Sequence, residues 1–124
     1  MVLCDDTAAV DVVGRGAPLR YHPALREGAN VNFVSRLGRD GEGWGWQVRT
    51  YERGVEAETL ACGTGAVATA ELLRAWGLAG ARATLTTRSG SELLVTLGRG
   101  PEETSSLRGE GRVVYRGELR ELSR

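Results

Sequence analysis

Apolar and polar positions alternate over short stretches through most of the chain, and one longer block breaks the alternation. Residues 1–4 read as a short strand closed by the turn-forming Asp5-Asp6-Thr7. From Asn30, an extended segment places Val31, Phe33 and Ser35 on one face and Asn30, Asn32 and Val34 on the other. After a turn at 39–43, alternation resumes over 44–53 with Trp44, Trp46, Val48 and Thr50 on one side, so the two strands predict a hairpin. Three further strands are expected at 82–87, 92–97 and 112–119, the first two joined by a tight turn at 88–91. Between them, 98–111 is predicted to be a polar, mobile loop.

The non-alternating block, 64–76, is rich in Ala and Leu and predicts a helix, with Thr64 as a suitable N-cap and Gly77 as a left-handed stop. Its apolar residues (Ala66, Val67, Ala68, Ala70, Leu72, Leu73, Trp76) circle most of its surface, which predicts a helix enclosed by the fold. A weaker helical pattern covers 10–21, opposed by Gly14, Gly16 and Pro18 and ended by His22-Pro23. The expected class is α+β: a curved, antiparallel-rich mixed sheet, or a barrel-like one, wrapped around one central helix.

Composition narrows the partners. At 124 residues the chain is expected to form a single domain, 1–124. Sixteen basic residues, all Arg, balance sixteen acidic ones, so neither nucleic acid nor an anionic membrane is an expected partner. No apolar run approaches the roughly 18 residues of a membrane span. The opening MVLCDDTAAV lacks the features of a secretory signal, which predicts a cytoplasmic location with Cys4 and Cys62 as reduced thiols. One His and two Cys without CxxC spacing form no recognisable zinc site, and no metal is expected.

Two positions carry candidate chemistry. Glu52 continues the face of Trp44, Trp46 and Val48, placing a carboxylate at the inward end of a strand, where it needs a partner or a ligand. Cys62 precedes Gly63-Thr64-Gly65 at the entry to the predicted helix. Glycines there let a ligand approach the backbone, and free N–H groups with the positive end of the helix dipole favour a carboxylate or phosphate. The same field favours a thiolate at Cys62. On residue types alone, plainer readings stand beside these. Cys62 also reads as an inert buried residue, Glu52 and Arg53 as a solvated strand end, Thr64 as a cap only, and Asn30 and Asn32 as turn or sheet-edge residues. Cys4 reads as a packing residue and His22 as a surface turn residue.

Three segments, Gly28-Ala-Asn-Val-Asn-Phe33, Tyr51-Glu-Arg-Gly54 and Glu58-Thr-Leu-Ala-Cys-Gly-Thr-Gly-Ala66, in this order and spacing resemble the C-terminal half of diaminopimelate epimerase. The resemblance is specific from Gly28 to Ala66 and fades after about Gly90. It implies a cofactor-independent amino-acid epimerase with two similar domains, each a sheet around a central helix. Such an enzyme interconverts LL- and meso-2,6-diaminopimelate in lysine and peptidoglycan biosynthesis, using one cysteine from each domain on opposite faces of the α-carbon. Carried onto this chain, the resemblance makes Cys62 the acid/base and gives Gly63 and Thr64 backbone N–H groups to the substrate. Asn30 binds through its amide, and Glu52 and Arg53 recognise the distal amino and carboxylate ends.

The sequence also departs from the family pattern. The first domain's Cys-Gly-Asn-Gly-type motif has no counterpart, so this chain is expected to hold half an active site. It would be inactive until an N-terminal epimerase domain, or a second copy of itself, completes the site. Residues 54–58 read Gly-Val-Glu-Ala-Glu, one longer than the common Gly-Val-Gly-Glu form. Two alternatives stay open. One is a related proline or hydroxyproline-type epimerase or isomerase, against which Asn30, Glu52 and Arg53 argue because those substrates lack a second amino-acid end. The other is a non-catalytic remnant that self-associates through apolar surface.

Overall fold

The alternating segments pair into one mixed sheet in the computed structural model, which describes residues 1–40 and 43–119, without the side chains of 39, 40, 43 and 44. β2 (Val31–Asp40) and β3 (Gly43–Glu52) form the expected long hairpin, in register Val34↔Val48 and Arg36↔Trp46. Its tip at 41–42 and the side chain of Trp44 lie outside the described residues. β1 (Val2–Leu3) runs parallel beside β2, and β4 (Ala57–Thr59) runs antiparallel to the far end of β3. β5 (Arg82–Thr86) is parallel to β3 at Trp46 and Gln47, and β6 (Glu92–Thr96) and β7 (Ser106–Gly109) follow antiparallel. β4 and β5 thus share one flank of β3, each paired to a different stretch of it.

Period-two patterning buries both faces of β2. Val34 joins Trp46, Val48, Ala83, Leu85, Val95 and Leu97 beneath helix α2 (Gly63–Ala75), which contributes Ala66, Ala70 and Leu73. Val31 and Phe33 join Tyr51, Val10 and Val12 on the opposite face, under helix α1 (Val12–Arg20). The α+β class with an antiparallel-rich mixed sheet holds. The sheet stays open, however, and a second helix covers the face that α2 leaves free. Burial outweighs the poor helix propensity of α1. Asp11 caps its start by accepting from the Gly14 N–H at 2.9 Å. A Cβ on Gly16 would fall 2.6 Å from the Cβ of Tyr51, so glycine is what lets this helix rest on the sheet.

α2 begins earlier than expected. The extended N-cap residue is Cys62 (φ −141°, ψ 108°), which puts Thr64 inside the first turn. Its end follows expectation: Gly77, at φ 69°, donates to the Arg74 carbonyl and Leu78 to the Leu73 carbonyl, at 3.0 and 2.8 Å. The helix is not enclosed, which corrects the sequence reading. Ala68, Ala75 and Trp76 face solvent, because small alanine side chains leave one narrow stripe in need of cover. No described helix is long and apolar enough to cross a membrane. Thr69, on the buried side, has a hydroxyl without a hydrogen-bond partner among the described residues. Thr69→Val keeps the shape and removes the orphan, so it should stabilise the fold by about 1 kcal/mol in urea unfolding.

The C-terminal region also departs from expectation. The third late strand is β7, inside the stretch read as a mobile loop. All four of its residues are exposed, so no alternation marked it in the sequence. The strand expected at 112–119 is absent among the described residues, and Val113, Val114 and Tyr115 stand 78%, 80% and 83% exposed.

Arg49, on the α1 side of β3, fastens three elements. Its Nε and Nη2 donate to the two carboxylate oxygens of Glu58 at 2.7 and 2.8 Å, and its Nη1 donates to the carbonyls of Thr7 and Val10 at 2.8 and 3.1 Å. The hydrogen bonds from Arg49, reinforced by the charges of Arg49 and Arg88, hold the Glu58 carboxyl below its ordinary value of 4.5 despite burial. Glu56 is also held low, first by the Tyr21 hydroxyl, then by the Gly54 N–H. A carboxyl depressed in the folded state contributes stability above its unfolded value and loses it as pH falls through the folded one. The melting midpoint should therefore drop as pH is lowered below about 4.5. Glu58→Gln should flatten that slope, and an unchanged slope would remove Glu58 from the account.

Candidate active site at the start of the second helix

The alternation that sends Val34 beneath α2 sends Asn30 and Asn32 to the same side, and it brings Thr50 and Glu52 there from β3. α2 starts directly over this polar end of the hairpin. Gly65 makes the approach feasible, since a Cβ there would fall 2.5 Å from Asn32 Oδ1 and 3.3 Å from Cys62 Sγ. Asn32 is buried and its Oδ1 accepts from the Thr50 hydroxyl at 2.7 Å, so it belongs to the floor of the site and not to a turn or a sheet edge.

Cys62 is half-buried, and its side chain makes no capping hydrogen bond. The sulfur lies 3.9 Å from Asn30 Nδ2 and 3.5 Å from Thr64 Oγ1. The Ala66 N–H already bonds the Cys62 carbonyl at 2.9 Å. The amides of Gly63, Thr64 and Gly65 precede that first bond and have no acceptor within the helix. A carboxylate beside the sulfur would meet these donors and the positive helix end together.

Asn30 connects this thiol to the β3–β4 turn. Its Oδ1 accepts from the backbone N–H of Arg53 at 2.8 Å, and Arg53 Nη1 donates to the Glu27 carbonyl at 3.0 Å. Glu52 is half-buried and accepts from the Thr59 hydroxyl at 2.8 Å through Oε2. Cys62, Gly63, Thr64, Asn30, Glu52 and Arg53 therefore sit around one end of the β2–β3 hairpin. The cluster holds a thiol, a carboxamide, the first amides of α2, the carboxylate of Glu52 and the guanidinium of Arg53. Sequence reasoning overlooked Thr59 and left Asn32 undecided, although alternation had already set Asn32 on the face of Asn30 and Val34.

Fold and site together define an α+β protein with a thiol at a glycine-flanked helix start. No family model matches the chain. Curated relatives do. The chain is 55% identical to a diaminopimelate epimerase of Gemmatimonas aurantiaca over 96% of its own length and 45% of that protein. Diaminopimelate epimerases of Methanocella arvoryzae and Aquifex aeolicus are 38% and 39% identical, over 96% and 98% of this chain and 40% and 42% of theirs. By sequence, the chain belongs to the diaminopimelate epimerase family. It spans less than half the length of these relatives.

Proposed function

We propose that this chain is the C-terminal half of a cofactor-independent diaminopimelate epimerase, with Cys62 as one of two thiols that exchange the α-proton. The observation that carries the reading is Asn30, whose carboxamide reaches the Cys62 sulfur with one end and the backbone of Arg53 with the other. In this reading the substrate's α-carboxylate lies against the amides of Gly63 and Thr64, and Asn30 orients it. Glu52 and Arg53 take the distal amino and carboxylate groups, the latter in planar bidentate geometry.

The proton balance needs two groups. A thiolate on one face removes the α-proton and becomes a thiol, and the electron pair left at Cα is delocalised into the carboxylate. A thiol on the opposite face then delivers its own proton to Cα and becomes a thiolate. Negative charge grows on the carboxylate oxygens in between, where the open amides at the helix start stabilise it. This chain supplies one thiol at that helix start, and an N-terminal epimerase domain supplies the other. Exposed Leu60 and Leu107 support a partner surface around the site, as Leu107 touches the position where a Gly63 Cβ would project.

The test is complementation. The chain alone should exchange no α-deuterium into diaminopimelate in D2O, and adding the N-terminal half of a related epimerase should restore exchange. Exchange by the isolated chain as a monomer would show that the site is not half of a pair. Turnover of proline or hydroxyproline in place of diaminopimelate would reassign the substrate.

A further inference from the structure

A network of charged side chains lies beside the site but outside the proposed proton transfer. Glu56 sits at φ 59°, the left-handed region that residues with a Cβ seldom occupy. Its carboxylate gathers four donors. Oε1 accepts from Arg20 Nε at 3.0 Å and from the Gly54 N–H at 2.9 Å, with Arg20 Nη2 also at 3.0 Å, and Oε2 accepts from the Tyr21 hydroxyl at 2.5 Å. Arg20 in turn presses on Gly28, itself at φ 68°, where a Cβ would fall 1.8 Å from Arg20 Nη1. The Arg20 carbonyl accepts from the Ala29 N–H at 3.3 Å.

Arg20 thus grips two separate segments, one running from Gly28 to Asn30 and the other being the β3–β4 turn that carries Arg53. These segments also touch directly, through Asn30 Oδ1 on the Arg53 N–H and Arg53 Nη1 on the Glu27 carbonyl. We infer that Arg20 and Glu56 are a positioning pair that fixes Arg53 and Asn30 for the distal, zwitterionic end of the substrate and takes no part in proton transfer at Cys62. The inference rests on the epimerase reading above. A turn with two left-handed residues, Gly54 and Glu56, holds one shape only when its surroundings over-determine it. Arg53 is exposed, so its rotamer freedom must be limited from the backbone side if it is to meet a carboxylate at a set distance from Cα. The Tyr21 phenol, pushed up in pKa first by its hydrogen bond to Glu56, is a spectroscopic reporter of the same pair.

Two variants separate positioning from plain turn chemistry. Glu56→Gly suits the left-handed backbone better than glutamate does but deletes the carboxylate, whereas Glu56→Gln keeps an acceptor. In the enzyme completed by an N-terminal half, Glu56→Gly should raise KM for diaminopimelate about tenfold while kcat stays within about twofold, and Glu56→Gln should recover most of the loss. In this chain alone, Glu56→Gly should speed amide hydrogen exchange at Arg53 and Gly54 at least about tenfold. An unchanged KM, a fall confined to kcat, or unchanged exchange at those two amides would each overturn the inference. A completed wild-type enzyme without turnover would sink the epimerase reading, while the amide exchange would still decide whether Glu56 holds Arg53.

Discussion

Cys62→Ser should lower α-proton exchange by the completed enzyme about 10³-fold, while the folded chain and its melting midpoint stay unchanged. Serine fits the half-buried site, since its oxygen is smaller than sulfur and Thr64 Oγ1, 3.5 Å from the sulfur, stays beside it. A serine hydroxyl is far too weak an acid to shuttle a proton near neutral pH. Binding groups survive the exchange, so KM should move less than kcat. The measurement is loss of the α-proton signal of diaminopimelate in D2O. Exchange within threefold of wild type would remove Cys62 from the chemistry, whatever the family resemblance implies.

The largest effect on stability is expected at Arg49. Arg49→Met should destabilise the fold by about 3–5 kcal/mol in urea unfolding. The guanidinium and the Glu58 carboxylate are well covered, with side chains 9% and 17% exposed, and both Glu58 oxygens depend on Arg49. Removing the cation leaves the partly buried Glu58 carboxylate only Arg88 Nε, at 3.8 Å, as an ion pair, takes this donor from the Val10 carbonyl, and leaves the Thr7 carbonyl with the Val10 N–H. Removing both partners is a milder change, so Arg49→Met with Glu58→Leu should cost clearly less than the sum of the two single variants. A cost below about 1 kcal/mol for the single variant would class the pair with ordinary surface ion pairs.

The legibility of the sequence differed from one element to the next for physical reasons. The β2–β3 hairpin was readable because large apolar residues recur at every second position on either side of a turn, although the strands bury both faces, and α2 because Ala and Leu run without alternation into Gly77. The start of α2 was misplaced by two residues, because threonine is a favoured cap whereas the chain puts the extended conformation at Cys62. That shift matters chemically, since it sets the amides of Gly63 and Thr64 in the first turn beside the sulfur. β7 was missed because an edge strand with every residue exposed carries no pattern. The segment 112–119 was read as a strand because its residues alternate, but a strand also needs a neighbour, and the described residues provide none.

The candidate site was largely visible in the motifs, which named Cys62, Asn30, Glu52 and Arg53. The side chains that hold those residues in place were not visible. Thr59, Arg20, Tyr21 and Glu56 act across turns and between elements, through contacts 7 to 36 positions apart in sequence that no local spacing encodes. Glu56 adds a further difficulty, because a left-handed glutamate contradicts the residue preference on which turn reading depends.

The junction between β3 and β5 holds only two residue pairs, Trp46↔Leu85 and Gln47↔Thr86, as few as join β1 to β2. Asn30 belongs to the half that contains β1 to β4, whereas Cys62 rides on a helix whose underside presses on β5 and β6 as well. The spacing between sulfur and amide therefore depends on how Ala66, Ala70 and Leu73 bed down on the strands on both sides of that junction. A substitution that widens that bed, even far beneath the helix start, should change the reach between the Cys62 sulfur and Asn30.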